Sequence, residues 1–96
     1  MSNEIVWLPS AARDVSRLRE FIQSNNPSAA IRAANRIKDA SKILDDNPEA
    51  GIPVEDLFPF RDLFIPFGSG NYILRYRVED THVIIVSVKH SREDDD

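Results

Sequence analysis

The sequence contains no cysteine, and only three glycines and two histidines among its 96 residues. Without cysteine, disulfide bonds and thiolate metal sites are excluded, which is typical of a reducing compartment. No apolar run approaches the roughly 18 residues that a membrane-spanning helix needs. The N-terminal residues lack the basic and apolar regions of a signal peptide. The sequence therefore predicts a cytoplasmic protein with no membrane segment.

The few residues suited to metal or nucleophilic chemistry do not form a known motif. His82 and His90 have no carboxylate partner at the spacing of a metal motif such as HExxH. The GSG sequence at 68–70 is too short for a phosphate-binding loop, and no serine lies in a nucleophile-elbow context. We therefore expect neither a metal nor a cofactor.

The net charge of −4 comes from the C-terminus, because residues 93–96 are all acidic. When these four are set aside, 12 acidic residues remain against 12 lysines and arginines. A protein that binds nucleic acid through a broad face is usually more basic than this. Given the short length, we predict a single domain over residues 1–92 and a solvated acidic tail over residues 93–96.

Apolar periodicity predicts two helices after a first strand at residues 4–8. Ser10 is the predicted N-cap of the first helix. The apolar residues of that helix recur at helical spacing: Ala11, Val15, Leu18, Phe21 and Ile22. Asn26 followed by Pro27 predicts the start of a second helix that extends to about Leu44. Its regularly spaced alanines allow close packing, so the helices should form an antiparallel hairpin.

Three further strands are predicted at residues 60–67, 72–78 and 83–88, joined by short turns. Consecutive strands with such connections form an antiparallel meander. The predicted fold class is α+β, with element order β-α-α-β-β-β and the helical hairpin packed on one face of a small, mainly antiparallel sheet.

Basic residues collect on and after the predicted strands. Arg75 and Arg77 share one face of their strand, while Tyr72 and Tyr76 lie on the other, as core residues. The candidate site for a phosphate or for a target comprises Arg61, Arg75, Arg77, Lys89, His90 and Arg92. Guanidinium groups fork onto phosphate oxygens, and a histidine can exchange a proton near neutral pH. The alternative, which the residues alone favour, is a set of solvated charges paired with acids such as Glu79 or Asp80.

The order of motifs resembles the RelE/ParE superfamily of type II toxins, often described as plasmid-stabilisation proteins. The similarity is carried by IVWLPSAARD near the N-terminus, NPSAAIRAANR in the second helix, and NPEAGIP after it. It continues through FRDLFI and YILRYRV to the terminal VKHSR. It covers nearly the whole chain and implies the fold predicted above. It also implies a cognate antitoxin (ParD-like or another type) and a toxin–antitoxin hetero-oligomer.

The resemblance implies two possible targets. RelE-like members cut mRNA on the ribosome, and in that case Arg61, Arg75, Arg77, His90 and Arg92 would be the catalytic set. ParE-like members inhibit DNA gyrase without chemistry of their own. The NPSAAIR and VKHSR motifs favour the ParE branch, as do the neutral body and the absence of a tyrosine beyond Tyr76. We therefore expect a gyrase inhibitor rather than an enzyme. A third possibility is a non-toxic binding partner in an antitoxin complex.

Overall fold

Residues 3–23 and 26–91 are described by a computed structural model. The elements in chain order are β1 Glu4–Trp7, α1 Pro9–Gln23, α2 Pro27–Asp46, β2 Ile52–Pro53, β3 Arg61–Phe67, β4 Gly70–Glu79 and β5 His82–His90. They form one sheet of order β1-β5-β4-β3-β2, in which β1 runs parallel to β5 and the other neighbours are antiparallel. Both helices pack on one face of this sheet, which confirms the predicted α+β fold. Neither of these two helices has the length and apolar character to cross a membrane.

The two helices begin in different ways. Asn26 has an extended backbone, and its side-chain oxygen accepts from the Ala29 N–H at 3.1 Å, which confirms the predicted cap of α2. The prediction that Ser10 caps α1 is wrong, since the helix begins one residue earlier at Pro9. The Ser10 hydroxyl instead donates to the Val86 carbonyl at 2.8 Å. This residue therefore ties α1 to β5 rather than satisfying the first turn of its own helix.

The core lies between the helices and the sheet. Its fully buried side chains come from both layers: Ala11, Leu18, Ala33, Ile37, Leu44, Ile65, Tyr72, Leu74, Tyr76, Val83, Ile85 and Val88. Buried alanines on both helices allow their backbones to approach closely. The expectation that Phe21 belongs to the buried face of α1 is wrong, because its side chain is 72% exposed. Phe21 follows the apolar period of the helix, but its side chain lines a groove beside the sheet and is not buried in the core.

An irregularity in β5 sets the direction of the last side chains. Arg75 pairs with Ser87, whereas Tyr76 pairs with Ile85, so Val86 is an extra residue without a partner in β4. Before this bulge the buried positions are Val83 and Ile85, and after it the buried position is Val88. Asp14 of α1 accepts from the Val88 N–H at 2.9 Å. Because of the bulge, His90 lies on the helix side of the sheet and Lys89 lies on the opposite side.

The segment between α2 and β3 contains the short strand β2 and is held at its base by hydrogen bonds. The Gly51 N–H donates to the Tyr76 hydroxyl at 2.8 Å, and that hydroxyl donates to the Pro48 carbonyl at 2.7 Å. The Arg61 guanidinium donates to the Gly51 carbonyl at 2.8 Å and to the Glu49 carbonyl at 3.3 Å. These bonds attach the segment to the end of the sheet.

Both tyrosines of the chain are core residues, and this predicts their behaviour in alkali. Burial raises the pKa of Tyr72 and of Tyr76, the latter against an opposing effect of the Gly51 N–H bond. Each folded-state pKa therefore exceeds the unfolded value of about 10. Their contribution to stability is fully present below about pH 10 and is lost as the pH rises above it.

In an alkaline titration, we expect the absorbance of tyrosinate to appear only together with the loss of helical circular dichroism. A tyrosine that ionises at about its ordinary pKa of 10 while the dichroism is unchanged would contradict this placement.

Candidate functional site

The predicted basic residues lie on both sides of the sheet. Cross-strand partners share a face, so the pairs Arg61–Tyr76 and His90–Tyr72 lie on the helix side with the buried tyrosines. Arg75, Arg77 and Lys89 alternate with these positions and lie on the side opposite the helices. Arg92 is outside the described residues. The six residues therefore do not form one cluster among the parts of the chain that the structure describes.

We call the side opposite the helices the open face. It comprises Val6, Asp62, Phe64, Ile73, Arg75, Arg77, Glu79, Ile84 and Lys89, and no described helix packs against it. The pairs Phe64–Ile73 and Val6–Ile84 give it an apolar strip between the charged positions. The open face is therefore amphipathic. Such a face is better suited to contact with the surface of another protein than to binding a row of phosphates.

The arginines of the open face have partners within the protein. Two nitrogens of Arg75 donate to the two oxygens of Asp62, at 2.9 and 3.1 Å. This hydrogen-bonded pair raises the pKa of Arg75 against an opposing effect of burial. Arg77 donates to Glu79 at 2.7 Å, and its guanidinium carbon lies 6.0 Å from the centre of the Phe60 ring. Both positive charges are therefore compensated, and Lys89 is the remaining cation of the open face as defined here.

Arg61 and His90, which the ribonuclease hypothesis combines, are well separated. Their partners Tyr76 and Tyr72 lie four residues apart on β4, which corresponds to about 13 Å along the strand. In addition, β3 and β5 lie on opposite sides of β4. Arg61 is bound to backbone carbonyls at the base of the α2–β3 segment. In this arrangement the two side chains do not reach a common phosphodiester group.

His90 belongs to a groove at the other end of the sheet. This α1 groove has a volume of about 620 Å³ and is lined by Arg17, Leu18, Phe21, Ile22, Phe67, Gly68, Ser69, Tyr72 and His90. The imidazole Nε2 lies 3.4 Å from the Phe67 carbonyl, and the ring packs edge-on against Tyr72 with centroids 4.8 Å apart. Arg17 contacts Asp14 of the same helix at 3.3 Å. The walls are mainly apolar, as in a site for an apolar peptide segment.

The roles of the six predicted site residues stay predictions. Their geometry shows that Arg61 supports the fold, that Arg75 and Arg77 are paired, and that His90 faces a groove on the helix side. Sequence reasoning missed Asp62 as the partner of Arg75, although a tight β3–β4 hairpin placed around the GSG turn would have set them opposite each other. Within residues 3–23 and 26–91, no group of three or more histidines and carboxylates is placed to hold a metal ion.

Comparison with known proteins agrees with this architecture. A family model described as ParE toxin of type II toxin-antitoxin system, parDE, matches residues 5–95. The chain is 34% identical to Toxin RelE3 of Caulobacter vibrioides over 88% of this chain and 90% of that protein. It is 33% identical to Toxin RelE2 of the same organism, over 92% and 94% of the two chains.

Two solved structures share the fold. A chain of the chromosomal ParDE TA system from P. aeruginosa has a TM-score of 0.79 at 22% identity, over 93% of this chain and 96% of that chain. A chain of the RelBE2 toxin-antitoxin complex from Mycobacterium tuberculosis has a TM-score of 0.60 at 21% identity, over 94% of this chain and 99% of that chain. These likenesses extend along almost the whole chain.

Proposed function

Because the chain belongs to the ParE toxin family of type II toxin–antitoxin systems, we propose that it inhibits DNA gyrase and is neutralised by a cognate antitoxin. It would act in the cytoplasm, bound to gyrase when free and held in a hetero-oligomer with its antitoxin otherwise. Membership of the ParE/RelE superfamily makes the chain a toxin component, and the choice of gyrase as target is the proposal.

One observation carries the choice of gyrase. The open face has the arginines expected of a target-binding surface, but Asp62 holds Arg75 with two hydrogen bonds and compensates its charge. His90, the candidate acid or base, lies on the other side of the sheet from Arg75 and Arg77. A ribonuclease needs phosphate-binding cations and a proton-transfer group around one scissile bond. Binding to a protein target requires no such convergence.

The α1 groove is the proposed site of the antitoxin. Its apolar walls and the exposed Phe21 ring suit an apolar peptide segment that folds on binding. We expect Arg13, Arg17 and Arg32 of α1 and α2 to attract acidic residues of that segment, and of these three Arg17 lines the groove. This groove and the open face lie on opposite sides of the sheet.

The experiment is an assay of plasmid supercoiling by purified gyrase with increasing amounts of this protein. We expect inhibition by the wild type and a loss of potency of about tenfold or more in the double variant Arg77→Ala/Lys89→Ala, which removes two of the three cations of the open face and leaves the Arg75–Asp62 pair intact. The control is Lys38→Ala/Lys42→Ala, which removes the same charge from the exposed surface of α2 and should inhibit like the wild type. Full supercoiling with the wild-type protein present would reject gyrase as the target.

The second candidate function is ribosome-dependent cleavage of mRNA. The names of the relatives at 33–34% identity, which are RelE toxins, favour it. A parallel assay with purified ribosomes and mRNA separates the two functions. Cut mRNA that becomes intact with His90→Ala would establish a ribonuclease, whereas uncut mRNA with inhibited gyrase would establish the first proposal. A chain without effect in both assays that still binds an antitoxin would be the non-toxic binding partner.

A further inference from the structure

The most exposed large apolar side chain of the described residues lies outside both surfaces discussed above. Phe58 is 96% exposed, at the tip of the segment between β2 and β3. Leu57 beside it is also exposed, as is Ile52 in the adjoining strand β2. Large apolar side chains that are exposed close together in sequence suggest a contact with another macromolecule, because water is a poor environment for them.

Three hydrogen bonds brace the backbone that presents Phe58. The Val54 N–H donates to the Phe60 carbonyl at 2.9 Å, and the Phe60 N–H donates to the Leu57 carbonyl at 2.9 Å. The Leu57 N–H closes the turn on the Val54 carbonyl at 3.1 Å. Arg61 and Tyr76 bind the carbonyls of Gly51 and Pro48, which lie just before β2. We call residues 54–60 the Phe58 loop. An aromatic ring held outward by an ordered backbone loses little entropy on binding, which is the condition for a strong anchor.

The acidic character of the sequence that contains the Phe58 loop indicates the class of partner. Residues 43–60 contain five acidic residues and no lysine, arginine or histidine. Four of the five are exposed: Asp46, Glu49, Glu55 and Asp56. Among the described residues, none of these four forms an ion pair. A nucleic acid or an anionic membrane would be repelled, whereas a basic protein surface would be attracted.

We infer that the Phe58 loop is an anchor that inserts Phe58 into an apolar pocket with a basic rim on the toxin's protein target. Proteins that hold nucleic acid carry such basic surfaces, so this chemistry fits a target engaged with DNA or RNA. The loop adjoins the open face through Phe60, whose ring lies under Arg77. The target-binding surface therefore extends from the open face onto the loop, away from the α1 groove.

The inference rests on membership of the toxin family and not on the choice of gyrase. It is therefore tested by a readout that does not depend on the target: the amount of expressed protein that arrests growth of a host without the antitoxin. Affinity of each purified variant for the cognate antitoxin is measured by calorimetry, and folding by thermal denaturation. The variants are Phe58→Ala, which removes the anchor, and Glu55→Lys, which reverses a charge beside it. The control is Ile31→Ala on α2, which removes a 60% exposed apolar side chain outside the proposed surfaces.

We expect Phe58→Ala to require about tenfold or more protein for arrest, as for an interface anchor, with thermal denaturation and antitoxin affinity unchanged. Glu55→Lys should also weaken arrest, and Ile31→Ala should arrest growth like the wild type. Arrest by Phe58→Ala at the wild-type dose would overturn the inference. Reduced antitoxin affinity of Phe58→Ala would also overturn it, by assigning the loop to the antitoxin.

Stronger growth arrest by Glu55→Lys would contradict the inference that the pocket on the target has a basic rim. A wild-type protein that does not arrest growth would contradict the proposal that it acts on a target in the host. Arrest by the wild type without inhibition of gyrase would reject gyrase and leave the inference to be decided by Phe58→Ala.

Discussion

Leu74→Ala is expected to lower the free energy of unfolding by about 3–4 kcal/mol, since it leaves a cavity under the helices. Leu74 is fully buried on β4, in the middle of the core. The measurement is urea denaturation followed by circular dichroism, with the slope of the transition compared between variants. The matched control is Ile73→Ala, one residue earlier on the open face, for which we expect a loss of about 1 kcal/mol or less. Equal losses for the two variants would contradict the placement of both helices on one face.

Gly51→Ala is expected to lower the free energy of unfolding by about 3 kcal/mol, through overpacking and disturbed hydrogen bonds. A Cβ atom at this position would lie 2.7 Å from both Cε1 and the hydroxyl oxygen of Tyr76, and 3.0 Å from the Asp62 carbonyl. The Tyr76 side chain is fully buried and its hydroxyl accepts from the Gly51 N–H, so the ring cannot move aside without breaking that hydrogen bond. Thermal or urea denaturation of the purified variant measures the loss.

Gly68→Ala is the control for the change of glycine to alanine. The backbone φ angle of Gly68 is +65°, and no atom lies within 4 Å of a Cβ added there. Only the backbone conformation therefore opposes the substitution. We expect a loss of about 1 kcal/mol for this variant. A Gly51→Ala protein as stable as the Gly68→Ala protein would contradict the close approach of Tyr76 to the segment between α2 and β3.

The sequence predicted the elements well because their signals are local. Alternation in β4 correctly placed Tyr72, Leu74 and Tyr76 in the core, and the Asn26–Pro27 pair marked the start of α2. Helical periodicity could not reveal that Phe21 is exposed, since the period of a helix carries no information on what covers each side chain. Ser10 looks like a cap in isolation, but its hydroxyl bonds to a strand that is distant in sequence.

The site was less predictable than the fold, because the directions of the last side chains of β5 depend on one extra residue, Val86. The bulge at Val86 changes the face of every later position in β5, so Lys89 and His90 could not be assigned to sides from the sequence. The pairing of Arg75 with Asp62 depends on the β3–β4 register, which the length of the turn sets. The compensation of the Arg75 charge by Asp62 is therefore a property of the assembled sheet.

We propose that this toxin acts by binding gyrase, and the amount of linear plasmid that gyrase releases with increasing toxin reports on that action directly. Reactions contain ATP, and cleaved complexes are trapped with detergent and digested with protease. We expect linear DNA to increase with the dose of toxin and to fall to background when equimolar antitoxin is added. An unchanged amount of linear DNA, from a toxin that arrests growth in cells, would rule out gyrase as its target.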